Sequence, residues 1–138
     1  MRDLLLDTNT LNYILRKRPP VLQRLAEARK EGCRFLLAPI AHYELTRYLR
    51  LKQADRLLRL YSRLVNSWLP CEMSFEDWSS AALLWADLHR AGKSASDLDL
   101  LLATLARKHG AVLVTSNIRH FEGLRLLLED WTKPLAPP

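Results

Sequence analysis

Acidic and amide side chains stand at several places in this chain where an apolar run gives way to a helical pattern. Asp7 follows Leu4-Leu5-Leu6 directly, with Asn9 close behind. Asp97 and Asp99 occupy the first turn of an expected helix from about Ser96 to His109, and Asn117 follows the run Val112 to Thr115 by two residues. Glu44 sits inside a helix that Pro39 is placed to open. Counted in helical steps, Ile40, Glu44, Tyr48 and Leu51 share one stripe, which predicts a carboxylate on a core-facing surface. Burying such a group unpaired is costly, and a cation or a metal relieves the cost. Carboxylates converging on one pocket repel unless a divalent ion neutralises them, and oxygen-only ligands suit Mg²⁺ or Mn²⁺ rather than zinc. The chemistry such a site offers is phosphodiester hydrolysis: a metal-activated water attacks, and charge on the phosphate and leaving oxygen is stabilised.

Each residue also has a plainer reading. Asp7 can cap the helix that follows it, and Ser96-x-x-Asp99 and Ser94-x-x-Asp97 both have capping-box spacing. Glu44 can pair with Arg47 one turn away, and Asn117 can be a turn residue. What favours a site is joint placement. In an open α/β sheet the functional crevice lies beyond the carboxyl ends of the strands, and these residues gather at that end.

The elements that must position them follow from periodicity. Short apolar runs at Leu4 to Leu6, Cys33 to Ala38, Leu69 to Met73, Ala111 to Thr115 and Leu124 to Leu128 predict strands. Helical patterns lie between them: from Pro19-Pro20 to Glu31-Gly32, from Pro39 to Leu51, over Leu57 to Val65, from Phe75 to Ala91-Gly92, and from Ser96 to His109-Gly110. Phe75, Trp78, Ala82 and Trp85 mark the core stripe expected of the fourth of these. Alternation of this kind predicts one domain over residues 1–138, a mainly parallel sheet flanked by helices, with a proline-rich tail at about 133–138 that frays.

The 138 residues are 49% hydrophobic and 26% charged, enough for a sizeable core and unlike a disordered chain. The formal charge of +6 favours an anionic partner, nucleic acid first. The uncharged stretch Leu100 to Ala106 is too short to span a bilayer and Leu4 to Leu6 too brief for a signal-peptide core, so a cytoplasmic location is expected. Cys33 and Cys71 stand alone, suggesting reduced core residues rather than a disulfide or zinc site. There is no glycine-rich phosphate loop, no H-x-x-x-H pair and no nucleophile elbow. Arg56, Arg59 and Arg63 fall on one helical face opposite Leu57, Leu58, Tyr61 and Leu64; that face is either solvated or a track for RNA phosphates. Trp78 and Trp85 read as core rather than as base-stacking platforms. The apolar residues of Leu57-Leu58 and Leu60-Tyr61, together with four tryptophans, exceed what one small core needs and leave area for an interface.

At the level of motifs the chain resembles the PIN-domain ribonucleases, and among them the VapC-type toxins of toxin–antitoxin pairs. Leu5-Leu6-Asp7-Thr8-Asn9 looks like the first motif, whose aspartate binds metal, and Ala41-His42-Tyr43-Glu44-Leu45 like the second, whose glutamate is a catalytic acid. The stretch from Ser96 to Ala106, then Gly110 and Leu113-Val114-Thr115-Ser116-Asn117, resembles the most specific motif, with Asp99 at the metal-ligand position and Asn117 where many members have Asp or Asn. Phe121-Glu122-Gly123-Leu124 and Glu129-Asp130-Trp131 are similar to the close of such toxins. One position departs: His120 precedes Phe121 where many members carry an acidic residue, so Asp7, Glu44 and Asp99 rank ahead of Asp97 and Asn117. The resemblance implies a PIN-like three-layer α/β fold and a Mg²⁺- or Mn²⁺-dependent endoribonuclease. Asp7 and Asp99 would hold the metal, Glu44 would orient metal or water, and Thr115, Asn117, Asn9 and Asp97 would lend support. It also implies an RNA substrate, a small antitoxin partner and a homodimer. A catalytically impaired nucleic-acid-binding module and a DNA-directed nuclease with the same acidic pocket are the rival readings.

Overall fold

A computed structural model describes residues 1–134; residues 135–138, most of the tail expected to fray, lie outside the described part. Five strands form one all-parallel sheet: β1 (Asp3–Leu6), β2 (Arg34–Leu37), β3 (Leu69–Pro70), β4 (Val112–Val114) and β5 (Leu127–Glu129). Six α-helices flank it: α1 (Thr8–Leu15), α2 (Pro19–Lys30), α3 (Pro39–Leu51), α4 (Asp55–Val65), α5 (Phe75–Arg90) and α6 (Asp97–His109). This is the PIN-like α/β architecture expected from the sequence. The strand order is β3-β2-β1-β4-β5. The chain leaves the central β1 toward one edge and later returns to build toward the other, so the crossovers diverge on either side of β1 and open a crevice beyond the strand ends there.

Continuous apolar runs are what a parallel sheet covered on both faces requires. Leu4, Leu5 and Leu6 of β1 and Leu113 and Val114 of β4 are at most 1% exposed. Register pairs Leu5 with Leu36 on one side and Leu113 on the other. Gly110, at φ 60°, ends α6 in the left-handed conformation that favours glycine and turns the chain into β4.

Two strand boundaries differ from expectation. β3 stops at Pro70, whose missing N–H ends regular pairing after two residues, although the Cys71 N–H still donates to the Leu37 carbonyl at 2.9 Å. The last strand begins at Leu127 rather than Leu124, because a 3₁₀ turn (Ile118–Phe121) and a left-handed Arg125 at φ 55° intervene.

Two helix faces are rotated by one residue from the expected stripes. The core stripe of α3 is Ala41, Leu45 and Leu49, not Ile40, Glu44, Tyr48 and Leu51, and Leu51 is largely exposed. That of α5 is Asp77, Ala81 and Leu84, which leaves Trp78 and Trp85 at 52% and 46% exposure instead of in the core. Both true stripes contain an alanine, and α3 and α5 both pack on α6, whose Ala103 and Ala106 are buried. Small residues at the crossings let the backbones approach, and the bulkier neighbours stay outside. Surplus apolar area is therefore on α3 and α5. The run on α4 mostly faces inward, with Leu57 and Tyr61 buried and Leu58 and Leu60 packed against the core. Cys71 is buried, Cys33 half-buried, and both are free thiols.

Candidate active site

Asp7 stands at the carboxyl end of β1. Its backbone N–H donates to the Val114 carbonyl at 3.0 Å, which prolongs the β1–β4 ladder by one residue and fixes where the side chain starts. The carboxylate caps α1, accepting from the Thr10 N–H at 2.8 Å, while the Thr10 hydroxyl donates to the Val114 carbonyl at 3.3 Å. Only 6% of Asp7 is exposed, and this burial pushes its carboxyl above the ordinary aspartate range. Hydrogen bonds from Thr115 and Thr10 oppose that shift, and the negative charge of Asp99 adds to it. Asp99 is therefore close enough for the two carboxylates to act on each other.

Asp99 reaches this position from the first turn of α6. Ser96 is the N-cap, its hydroxyl accepting from the Asp99 N–H at 3.1 Å. The Asp99 side chain turns instead to His120, whose Nδ1 lies 3.2 Å from Oδ2. Ser94 does not cap, since the helix begins at Asp97. Thr115, fully buried, receives the Asn117 N–H on its hydroxyl at 3.0 Å, so Asn117 takes part in the turn beneath the site.

Glu44 approaches from α3. Between α1 and α3 runs a cleft of about 580 Å³ lined by Thr8, Asn9, Asn12, Glu44, Arg47 and Tyr48 among others. The Glu44 side chain is 33% exposed and faces this cleft rather than the core, one residue around the helix from buried Leu45. Arg47 comes no closer to it than 4.0 Å. Asn9 shares the cleft, whereas exposed Asp97 lines a different groove, beside Trp78, Ala81 and Trp85.

Two cleft residues, one of them inside the first motif, had no expected role. Thr8 Oγ1 and Asn12 Oδ1 are buried without a hydrogen-bond partner, and both residues line the cleft beside Glu44. Their signal was the spacing of four that stacks them on one face of α1. Buried oxygens are rarely left unpaired, so this wall is short of a donor or a cation. Among the described residues no three His, Cys, Asp or Glu side chains already converge as a ligand set. The available donors are nonetheless mostly oxygens: an aspartate pair that repels, a glutamate across the cleft and orphan oxygens, with the His120 ring nitrogen beside Asp99. That chemistry fits a hard divalent cation.

On the other side of α3, Arg59 and Arg63 join Arg50, His42 and Thr46 around a second cleft of about 780 Å³. Arg56 is exposed but outside its lining. None of Arg50, Arg56, Arg59 and Arg63 has a carboxylate within ion-pair distance among the described residues.

A parallel sheet with an acidic crevice at its centre is the class of structure to which PIN domains belong. The PIN domain family model matches residues 4–125, and the chain belongs to that family. It is 26% identical to ribonuclease VapC1 of Haemophilus influenzae strain R2866, over 94% of this chain and 98% of that protein. Among solved structures it is similar to VapBC of Salmonella typhimurium bound to DNA (TM-score 0.82, 25% identity, 95% and 99% of the two chains). It is likewise similar to VapBC2 of Rickettsia felis bound to a promoter DNA fragment (TM-score 0.83, 24% identity, 94% and 98%). Among the described residues no helix is long and apolar enough to cross a membrane.

Proposed function

We propose that this PIN domain is a metal-dependent endoribonuclease and the toxin of a toxin–antitoxin pair. The observation that carries the reading is the Asp7–Asp99 pair at the strand ends, with Glu44 and the orphan oxygens of Thr8 and Asn12 around the adjoining cleft. The full-length similarity to a VapC ribonuclease and to VapBC complexes supports the substrate class and the partner.

Asp7 and Asp99 would hold Mg²⁺ or Mn²⁺, and Glu44 would orient the attacking water or the ion from across the cleft. The bound ion supplies a water of lowered pKa and charge stabilisation at the scissile phosphate. Thr10 and Thr115 fix the Asp7 carboxylate by hydrogen bonds. Asn117 braces the Thr115 turn, Asn9 lies beside incoming RNA, and Asp97 stands at the margin. Arg59 and Arg63, with Arg56 on the same helix, contact the RNA backbone.

The antitoxin places an extended or helical segment in the largely apolar α1–α3 cleft, past exposed Tyr48 and Leu51, and brings a cation to the carboxylates in place of the metal. Two copies pair through the exposed aromatic face of α5. The protein acts in the cytoplasm, where RNA and antitoxin meet it.

Purified protein incubated with total RNA, with Mg²⁺ or Mn²⁺ and with EDTA, tests the reading. Discrete 5′ and 3′ ends that need the metal are expected. Equal cleavage in EDTA would overturn the metal dependence, and intact RNA in every lane would leave the impaired-module rival.

A further inference from the structure

His120 departs from the motif at the position before Phe121, and the structure gives it a specific place. It lies on the 3₁₀ turn after β4, with its ring Nδ1 3.2 Å from Asp99 Oδ2 and its side chain 58% exposed. Two neighbouring ligands of an octahedral ion, each about 2.1 Å from it, stand about 3 Å apart. His120 Nδ1 and Asp99 Oδ2 are hydrogen-bonded here, and their spacing is also that of two adjacent corners of one coordination sphere. The ring is anchored by its backbone N–H, which donates to the Asn117 carbonyl at 3.0 Å, while its exposed side chain remains free to adjust.

We propose that His120 is a nitrogen ligand to the divalent ion beside Asp99, and that it biases the site toward Mn²⁺ over Mg²⁺. The inference rests on the metal-dependent reading above. Mg²⁺ demands near-ideal octahedral geometry and gives up water reluctantly, whereas first-row transition ions gain from a nitrogen ligand, Mn²⁺ least among them but still more than Mg²⁺. As a ligand the ring is neutral, with its proton on Nε2 and the Nδ1 lone pair on the ion. A neutral ring also adds no negative charge around the ion, which favours Mg²⁺ least, because Mg²⁺ gains little from the nitrogen.

The other three histidines stand elsewhere in the fold, so nitrogen coupling to the ion can be assigned to His120. His42 Nδ1 is 2.7 Å from the Tyr61 hydroxyl, His89 stacks on Trp85, and His109 ends α6 at the amino-terminal side of β4, the opposite end from Asp7. The experiment is electron spin echo spectroscopy of Mn²⁺ bound to the purified wild type, His120→Gln and Asp99→Asn proteins, with Mn²⁺ and Mg²⁺ affinities from calorimetry. The wild type is expected to show ¹⁴N modulation from one imidazole. In His120→Gln that modulation disappears and Mn²⁺ affinity falls at least about tenfold, with a smaller fall for Mg²⁺. Because His120 is exposed, the variant is expected to keep its circular dichroism and melting temperature. Mn²⁺ bound without nitrogen coupling, or coupling that survives in His120→Gln, would overturn the inference while leaving the metal reading intact. Mn²⁺ affinity that is equally weak in wild type and Asp99→Asn would overturn both.

Discussion

The carboxylate of Asp7 accepts the Thr10 backbone N–H at 2.8 Å, so the residue proposed to hold the metal is also the N-cap of α1. The two readings available from the sequence are not rivals, since one oxygen can serve the helix and leave the other for a cation. Asparagine caps as well as aspartate does, so Asp7→Asn keeps the helix start while removing a charge that burial penalises. Its melting temperature in EDTA is expected to equal or exceed that of the wild type, with RNA cleavage lost. Asp7→Ala loses the cap as well and is expected to be less stable than Asp7→Asn by about 1 kcal/mol. Scanning calorimetry of the two variants checks this, and an Asp7→Asn protein that cleaves at the wild-type rate would remove Asp7 from the site.

Glu44 separates a role in chemistry from a role in stability. Its side chain is 33% exposed and its nearest cation, on Arg47, is 4.0 Å away, a geometry worth little to the fold. Glu44→Gln is expected to change stability by no more than about 0.5 kcal/mol and to lower single-turnover cleavage by about 100-fold or more. Urea titration and cleavage kinetics on the same preparation read both quantities. Lost stability with retained activity would mark Glu44 as structural.

The arginines of α4 are expected to act on affinity. Each phosphate contact releases counterions, so replacing Arg56, Arg59 and Arg63 by Gln should lower the slope of log affinity against log salt by about 2 for single-stranded RNA. The single change Arg56→Gln should matter least, because Arg56 does not line the cleft that holds Arg59 and Arg63. Filter binding across a salt series, with catalytically silent Asp99→Asn protein, measures the slopes. An unchanged slope would return this face to solvent.

Acid sensitivity should be carried in part by a contact remote from the site. Lys108 Nζ lies 2.7 Å from Asp77 Oδ2, and this hydrogen bond, with the Ser74 backbone N–H, holds the Asp77 carboxyl below its usual range. A folded value below the unfolded one means the contribution is present above about pH 4, the unfolded aspartate value, and is lost as pH falls through the folded value. Asp77→Asn should therefore lower the melting temperature at neutral pH and flatten its decline in acid. A decline identical to that of the wild type would show that other carboxylates govern it.

Much of this was legible because parallel strands must be apolar throughout: Leu4 to Leu6 and Val112 to Val114 announced β1 and β4, and with them the crevice where Asp7 belongs. Helix existence was legible too, from Pro39 and from the Ser96 and Gly110 boundaries. Helix facing was not. Periodicity weighs bulk, and on α3 and α5 the bulky residues lie one position from the true stripe because alanines make the close contacts. Glu44 was accordingly expected as a core carboxylate, whereas it lines a cleft. The Asp99–His120 contact joins two segments 21 residues apart, and no local pattern encodes it.

On α5, Phe75, Trp78, Leu83 and Trp85 are all exposed, and the Trp85 ring is already fixed by stacking on His89 with centroids 3.9 Å apart. Apolar area of this kind on a small domain is costly to leave in water, and aromatic anchors held rigid in advance lose little entropy on association. The wild type is thus expected to be dimeric at micromolar concentration, with Trp78 and Trp85 dominating the interface. Truncating a central aromatic anchor commonly costs 2 kcal/mol or more, so Trp85→Ser should raise the dimer dissociation constant at least about 30-fold. Trp78→Ser combined with Trp85→Ser should leave a folded monomer, since neither residue belongs to the buried stripe of α5. Sedimentation velocity over a concentration series measures the dissociation constants. A monomeric wild type, or a double variant that still dimerises as tightly, would place the partner surface elsewhere, and the remaining exposed apolar residues, Tyr43, Tyr48 and Leu51 on α3, would be the next to test.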